Sequence, residues 1–265
     1  LDFFSKLSNN YSDVVEFSLP MIDMALVING DIAHQILVKE VKSFRKADRD
    51  VQIMGTILGK GLVTNNHTEH HRIQRKLVQP GFHFRKIEAY ADTMSDYTSQ
   101  YVSDWTSGTR NISDDMFKLT MYIVTKTLFD TDMDKMVYGA DQIGQTMHTV
   151  QTAINSKFNQ VFLPPDWLPT PNNIKLKRAR KQLNDTIQDI IDTRMREMHA
   201  PDSETAFDKR VISLNKTNDK GDMLSMLLQA KYEDGSSMDT KQVMDELITL
   251  FVAGHETTSN ALSWT

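Results

Sequence analysis

Between Ala253 and Ser259 the chain reads Ala-Gly-His-Glu-Thr-Thr-Ser, which sets the carboxylate of Glu256 beside the hydroxyl of Thr257. Such a pair is suited to relaying protons. Its setting makes it conspicuous. Met244, Leu247, Ile248, Phe251 and Val252 recur at i, i+3, i+4, i+7 and i+8, one apolar stripe on a predicted helix. That helix runs straight into residues that suit a helix interior poorly: glycine costs about 1 kcal/mol relative to alanine, and threonine loses rotamer freedom. Local rules broken in this way are expected at functional sites. Gly254 removes a side chain and lets a flat or bulky group approach the backbone. Thr257 and Ser259 are spaced to hydrogen-bond back to the carbonyls of Ala253 and His255, which bends or widens a helix. The competing reading is a surface helix that turns polar.

A second constellation lies at residues 67–84, HTEHHRIQRKLVQPGFHF. Ile73, Leu77 and Val78 give a helix face, Pro80 ends the helix, and Arg72, Arg75 and Lys76 make the opposite face cationic. His67 and His71 stand i, i+4, a spacing that can bind zinc or nickel. The order is not H-E-x-x-H and no clear third ligand follows nearby, so a solvated histidine cluster competes with a metal-dependent hydrolase.

Ala253 to Thr258 resembles the small-Gly-x-acid-Thr-Thr motif of the long central helix of cytochromes P450, and the flanking Asp245-Glu246 and Asn260 to Trp264 fit the same family. Three other segments are similar to it in the same order. Gly61-Leu62-Val63-Thr64-Asn65-Asn66 resembles the run that comes down over the haem. Residues 71–82 look like the helix whose Trp-x-x-x-Arg pair closes on a small-Pro-small-Phe end, with Arg75 at the arginine and His71 in place of the tryptophan. Residues 162–173 with the basic helix that follows, and the Asp222 to Leu228 run, complete the likeness.

The fold this implies is mainly α, the N-terminal part of a single cytochrome P450 domain over 1–265, with a small β-containing part at 13–60 and a helical part at 67–265. The implied activity is haem-thiolate monooxygenation, in which one oxygen atom of O2 enters an apolar organic substrate. Haem b is the implied cofactor, with electrons from NAD(P)H through a flavin or iron–sulfur partner, either a reductase or a ferredoxin or flavodoxin. By the same resemblance Ala253 and Gly254 leave room over the haem, Glu256 and Thr257 deliver protons for O–O cleavage, His71 and Arg75 hold a propionate, and Val63 faces the substrate. The cationic face with Arg72 and Lys76 could also meet an acidic electron-transfer partner. A non-catalytic helical protein binding an apolar ligand is the alternative.

The elements that must position these residues are legible in outline. Residues 13–18 and 21–28 read as a strand pair, followed by Asn29-Gly30 and a short helix over 32–38 with Asp31 as a plausible N-cap. Residues 43–60, ending in Gly55, Gly59 and Gly61, read as a mobile connection. Helical spacing recurs over 87–108, with Gly108 as its stop and Tyr90, Met94, Tyr97 and Tyr101 as core, and over 113–129, with Ser113 or Asp114 as cap. A helix over 139–158, a proline-rich connector and a helix to about His199 follow, the last with Leu183, Ile187, Ile190 and Ile191 on its inner face. Residues 200–221 read as a surface loop, Asp234-Gly235 as a turn, and Asp239 as the start of the final helix.

The bulk numbers set the outer limits. With 265 residues, 40% of them apolar, the chain can bury a sizeable core. Its 30 basic and 35 acidic residues are interspersed, so no basic field exists to hold nucleic acid. No stretch approaches the ~18 apolar residues of a membrane span, and no leader is legible, so a cytoplasmic protein is expected. The chain has no cysteine, which excludes disulfides and thiolate ligands from within it. Since the family holds its iron by a cysteine downstream of the central helix, a truncated chain, inactive by itself, is the expectation.

Overall fold

The computed structural model describes residues 2–19, 22–132, 139–160, 163–199 and 221–265. Phe162, nearly all of the loop expected at 200–221, and the Pro20 break between the strands lie outside them.

A short helix α1, Asp2–Asn10, packs Phe3 and Phe4 edge-on against Phe17 of the first strand. Strands β1, Val14–Leu19, and β2, Ile22–Val27, pair antiparallel with Val15 opposite Leu26, as the β-branched runs predict. The next helix is capped two residues earlier than expected. Asn29, not Asp31, accepts the amides of Asp31 and Ile32 and donates to Asp13 across the strand pair. Helix α2, Gly30–His34, continues as one π-helical turn, Gln35–Lys39.

The expected mobile connection at 43–60 is instead mostly a helix, α3, Asp48–Leu58. Ile53, Ile57 and Leu58 form its buried face, and acids at Asp48 and Asp50 favour its first turn. The glycines misled: Gly55 lies within the helix, and Gly59, at φ 61°, takes the positive φ that glycine permits where the helix stops.

Helix α4, Thr68–Val78, passes through a 3-10 turn, Gln79–Phe82, into α5, Phe84–Ser103. That helix ends five residues before Gly108, and its aromatic face is not core: Met94 is 44% exposed. The tyrosines act through their hydroxyls, Tyr97 on Asp132 and Tyr101 on Asp115. Arg110 grips the same Asp115 with two donors, which holds that carboxyl below its ordinary value, while burial and the adjoining Asp115 carboxylate push the Tyr101 phenol up to about 12. Helix α6, Ile112–Phe129, begins at Asn111 rather than being capped by Ser113 or Asp114.

Helices α7, Gly139–Phe158, and α8, Pro171–His199, pack against each other, and Leu183, Ile187, Ile190 and Ile191 are buried as predicted. A short helix α9, Met223–Gln229, is capped by Asp222. Asp222 also takes Arg194 of α8 at 2.5 Å, and the same guanidinium donates to the Phe129 carbonyl at the end of α6. One arginine therefore ties three helix ends.

All of this surrounds α10, Thr240–Trp264, capped by Asp239 as expected. Val243, Leu247, Ile248 and Phe251 are at most 2% exposed and meet Met121 and Phe129 of α6, Ile187 and Ile191 of α8, and Met223, Leu224 and Leu227 of α9 in one cluster. Each such side chain contributes about 1.5–3 kcal/mol by leaving water. From Gln242 to Thr249 the polar residues are buried too, so α10 is enclosed on nearly every side there and emerges only from Ala253 onward.

Candidate functional site

The turn at 253–259 divides by face. Ala253, Thr257 and Thr258 are exposed, while His255 and Ser259 are buried. Thr257 donates its hydroxyl to the Ala253 carbonyl at 2.8 Å, as its spacing predicts, and Thr258 does the same to Gly254 at 2.9 Å. Ser259 differs, bonding to the Glu256 carbonyl rather than to that of His255. With its proton so engaged, the Thr257 oxygen presents only acceptor lone pairs outward. It becomes a donor when the back-bond opens.

Glu256 does not point at Thr257. Its carboxylate accepts from Gln151 of α7 at 2.7 Å, and partial burial raises it above the ordinary value despite that bond. A carboxyl so placed holds a proton more readily than an exposed one. Gly254 serves a neighbour: a Cβ there would lie 3.1 Å from Val124 of α6. The missing side chain is accounted for by close helix packing rather than by open space. His255 sits between Phe117 and Phe251, at 5.0 and 5.4 Å between ring centres. Its Nδ1 faces the Phe251 carbonyl at 2.9 Å, which assigns the proton to that nitrogen, and its Nε2 is buried with no partner among the described residues. Burial keeps the ring neutral.

About two turns earlier, α10 grips the 59–65 segment. Asp245 accepts the Lys60 amide and Glu246 accepts the Leu62 amide, both at 2.9 Å. Gly61 is pressed so closely on the helix that a Cβ would fall 2.1 Å from the Thr249 hydroxyl. Lys46 donates to the Leu62 carbonyl at 2.7 Å, and Thr64 closes the turn onto the carbonyls of Gly59 and Gly61. Glu246 is fully buried, and loss of solvent pushes its carboxyl up to about 7. Val63 stands out from this anchored turn at 37% exposure. Sequence reasoning treated Asp245 and Glu246 only as a flank and overlooked Lys46. Two acids inside an otherwise apolar helix were the available signal.

On α4, His67 caps the helix by accepting the His70 amide, and His70 contacts Asn65 and Gln74. Both histidines thus have structural partners, and among the described residues no group of three metal-ligating side chains occurs. Arg72 pairs with Glu69, and Lys76 with Glu233, so the cationic face is partly neutralised by its own acids. His71 and Arg75 differ. They stand one turn apart, neither has a hydrogen-bonding or ionic partner among the described residues, and His71 is held below its ordinary value by burial and by the nearby Lys46 and Arg75. A partnerless arginine beside a donor-bearing ring is a ready site for a carboxylate.

Comparisons with known proteins bear on the family of this chain. The cytochrome P450 family model matches residues 1–265. The chain is 29% identical over 262 residues to cyclooctat-9-en-7-ol 5-monooxygenase of Streptomyces melanosporofaciens, covering 96% of this chain and 50% of that protein. It is 28% identical over 267 residues to pentalenene oxygenase of Streptomyces avermitilis, covering 100% of this chain and 54% of that protein. Leukotriene-B4 omega-hydroxylase 3 of Mus musculus is 25% identical over 257 residues. The chain spans about half the length of these relatives. With a mainly helical fold, a small antiparallel sheet at its start and the Ala253 to Thr258 turn at the emerging end of its enclosed helix, this chain belongs to the cytochrome P450 family.

Proposed function

We propose that this chain forms the oxygen-handling and propionate-binding side of a haem-thiolate monooxygenase acting on an apolar organic substrate. The observation that carries this reading is the His71–Arg75 pair, which has no acidic partner among the described residues, together with the exposed Ala253 and Thr257 on α10. The residues fit the acidic edge of a haem. They do not fit its iron, because the chain contains no cysteine, so the axial thiolate would come from a segment outside these residues. When bound, haem would supply the oxygen-activating chemistry.

The chain's own groups do the rest. Arg75 and His71 hold carboxylates, and Ala253 keeps the adjoining surface low. Glu256, whose carboxyl is raised by burial, takes up a proton and returns it towards the reaction side when its bond to Gln151 opens. Thr257 orients that proton by exchanging its bond to the Ala253 carbonyl for one to the reacting oxygen. Val63 excludes water and sets the shape available to substrate. The kinship with relatives named for oxygenating pentalenene and cyclooctat-9-en-7-ol supports an apolar substrate, with electrons arriving from NAD(P)H through a flavin or iron–sulfur protein. No helix among the described residues is long and apolar enough to cross a membrane.

The test is haem retention. In the haem-loaded protein, Arg75→Ala and His71→Ala should each speed haem loss to apomyoglobin, the double variant most, while Arg72→Ala should not. Equal loss rates in all four proteins would sink the propionate assignment.

A further inference from the structure

Leu62 is held at both its amide and its carbonyl by titratable side chains. Glu246 accepts its amide at 2.9 Å and Lys46 donates to its carbonyl at 2.7 Å. The charge-assisted bond from Lys46 is about twice as strong as a neutral one. The anchor is itself braced: Gln242 donates to the other Glu246 oxygen at 2.8 Å, Asp245 holds the Lys60 amide, and Gly61 lies against Thr249 with no space for a side chain. Between buried Gly61 and buried Thr64, Val63 projects outward. The two peptide planes that meet at Leu62 are therefore both fixed, the one entering it by a glutamate on α10 and the one leading into Val63 by a lysine ahead of α3.

We infer that Glu246 and Lys46 are positioning residues for substrate selection, setting through Leu62 the angle at which Val63 meets an apolar substrate. The inference rests on the reading of Val63 as a pocket residue. A loop needing only to be tethered would be served by Asp245 and the Gly61 contact. A second, fully buried carboxylate aimed at the very next free amide costs desolvation, and its return is control of the residue beyond.

The test uses the haem-loaded protein, with cyclohexanol and adamantanol as small and bulky probes read by the shift of the haem absorption band, and hydrogen exchange of residues 60–65. Glu246→Ala should speed exchange at Leu62 about tenfold and change the ratio of the two probe affinities about tenfold, at unchanged haem content. Glu246→Gln, which keeps an acceptor for Leu62, should restore the ratio to within about threefold. Lys46→Met, at an exposed position, guards against a folding failure and should shift the ratio in the same direction as Glu246→Ala. Val63→Phe is the control for the pocket itself. If Val63→Phe changes the ratio and neither Glu246→Ala nor Lys46→Met does, the inference is overturned while the pocket stands. If Val63→Phe leaves the ratio untouched as well, the pocket assignment fails and the inference with it.

Discussion

Replacing Glu246 by glutamine should flatten the pH dependence of this protein's stability. The carboxyl has no solvent contact, and its value of about 7 in the folded chain stands against an ordinary 4.5. The sign follows from the direction of the shift. Below the ordinary value both states carry the proton and the neutral acid costs nothing. As pH rises, the unfolded chain releases its proton first, so stability falls until the folded chain has released its own and is constant thereafter. A displacement of this size corresponds to about 3 kcal/mol, lost between about pH 4.5 and pH 8. Glutamine keeps an acceptor for the Leu62 amide but sets its own amine against Gln242, whose side chain must turn over and release the Lys60 carbonyl. That cost does not depend on pH. The observable is therefore the difference between variant and wild type in urea unfolding, followed by tryptophan fluorescence, at pH 5 and pH 8. The variant should gain about 2–3 kcal/mol on the wild type between those two values. Parallel pH profiles would refute the buried, nearly neutral carboxyl.

Thr257→Ala in the haem-loaded protein should lower product formed per NAD(P)H consumed at least about tenfold, with the balance appearing as hydrogen peroxide; full coupling would remove Thr257 from proton delivery. Gly61→Ala should destabilise by about 1–3 kcal/mol in urea unfolding, since its Cβ would meet the Thr249 hydroxyl at 2.1 Å. Arg194→Ala leaves Asp222, 8% exposed, without its cation and should cost about 3–5 kcal/mol, seen as a lowered Tm; a surface-like change below about 0.5 kcal/mol would mean the three helix ends are held otherwise.

Long elements with a strong period were legible. The 139–158 helix, the helix running to about His199 and the inner face Leu183, Ile187, Ile190, Ile191 follow from spacing alone, and Asp239 announces its helix by cap chemistry. What was illegible depended on partners distant in sequence. Gly55 reads as a breaker until Ile53 and Ile57 are seen to have a core to enter. The Tyr97 and Tyr101 face reads as core because a sequence does not show that Asp132 and Asp115 wait for the hydroxyls. At the site, the Glu256–Thr257 adjacency was visible, whereas the Gln151 contact, 105 residues away, was not. Gly254 was legible as an anomaly and not in its cause, since Val124 belongs to another helix. Asp245 and Glu246 carried a readable signal, acids in an apolar stripe, and their partners are backbone amides, which composition never reveals.

His255 has a consequence for how the 253–259 turn is oriented. Residues two apart on an α-helix point about 200° away from each other, so His255 and Thr257 face nearly opposite ways, one into the aromatic stack and the other out. Ala253, Thr257 and Ala261 follow one another at i, i+4 and i+8 along the exposed side. Clamped between Phe117 and Phe251, and with Thr120 bonded to its carbonyl, the imidazole works as an indexing pin. It sets the angular phase of a long rod from within, so that a change of ring size at 255 would be read out as a rotation of the opposite side, without any reacting group having been altered.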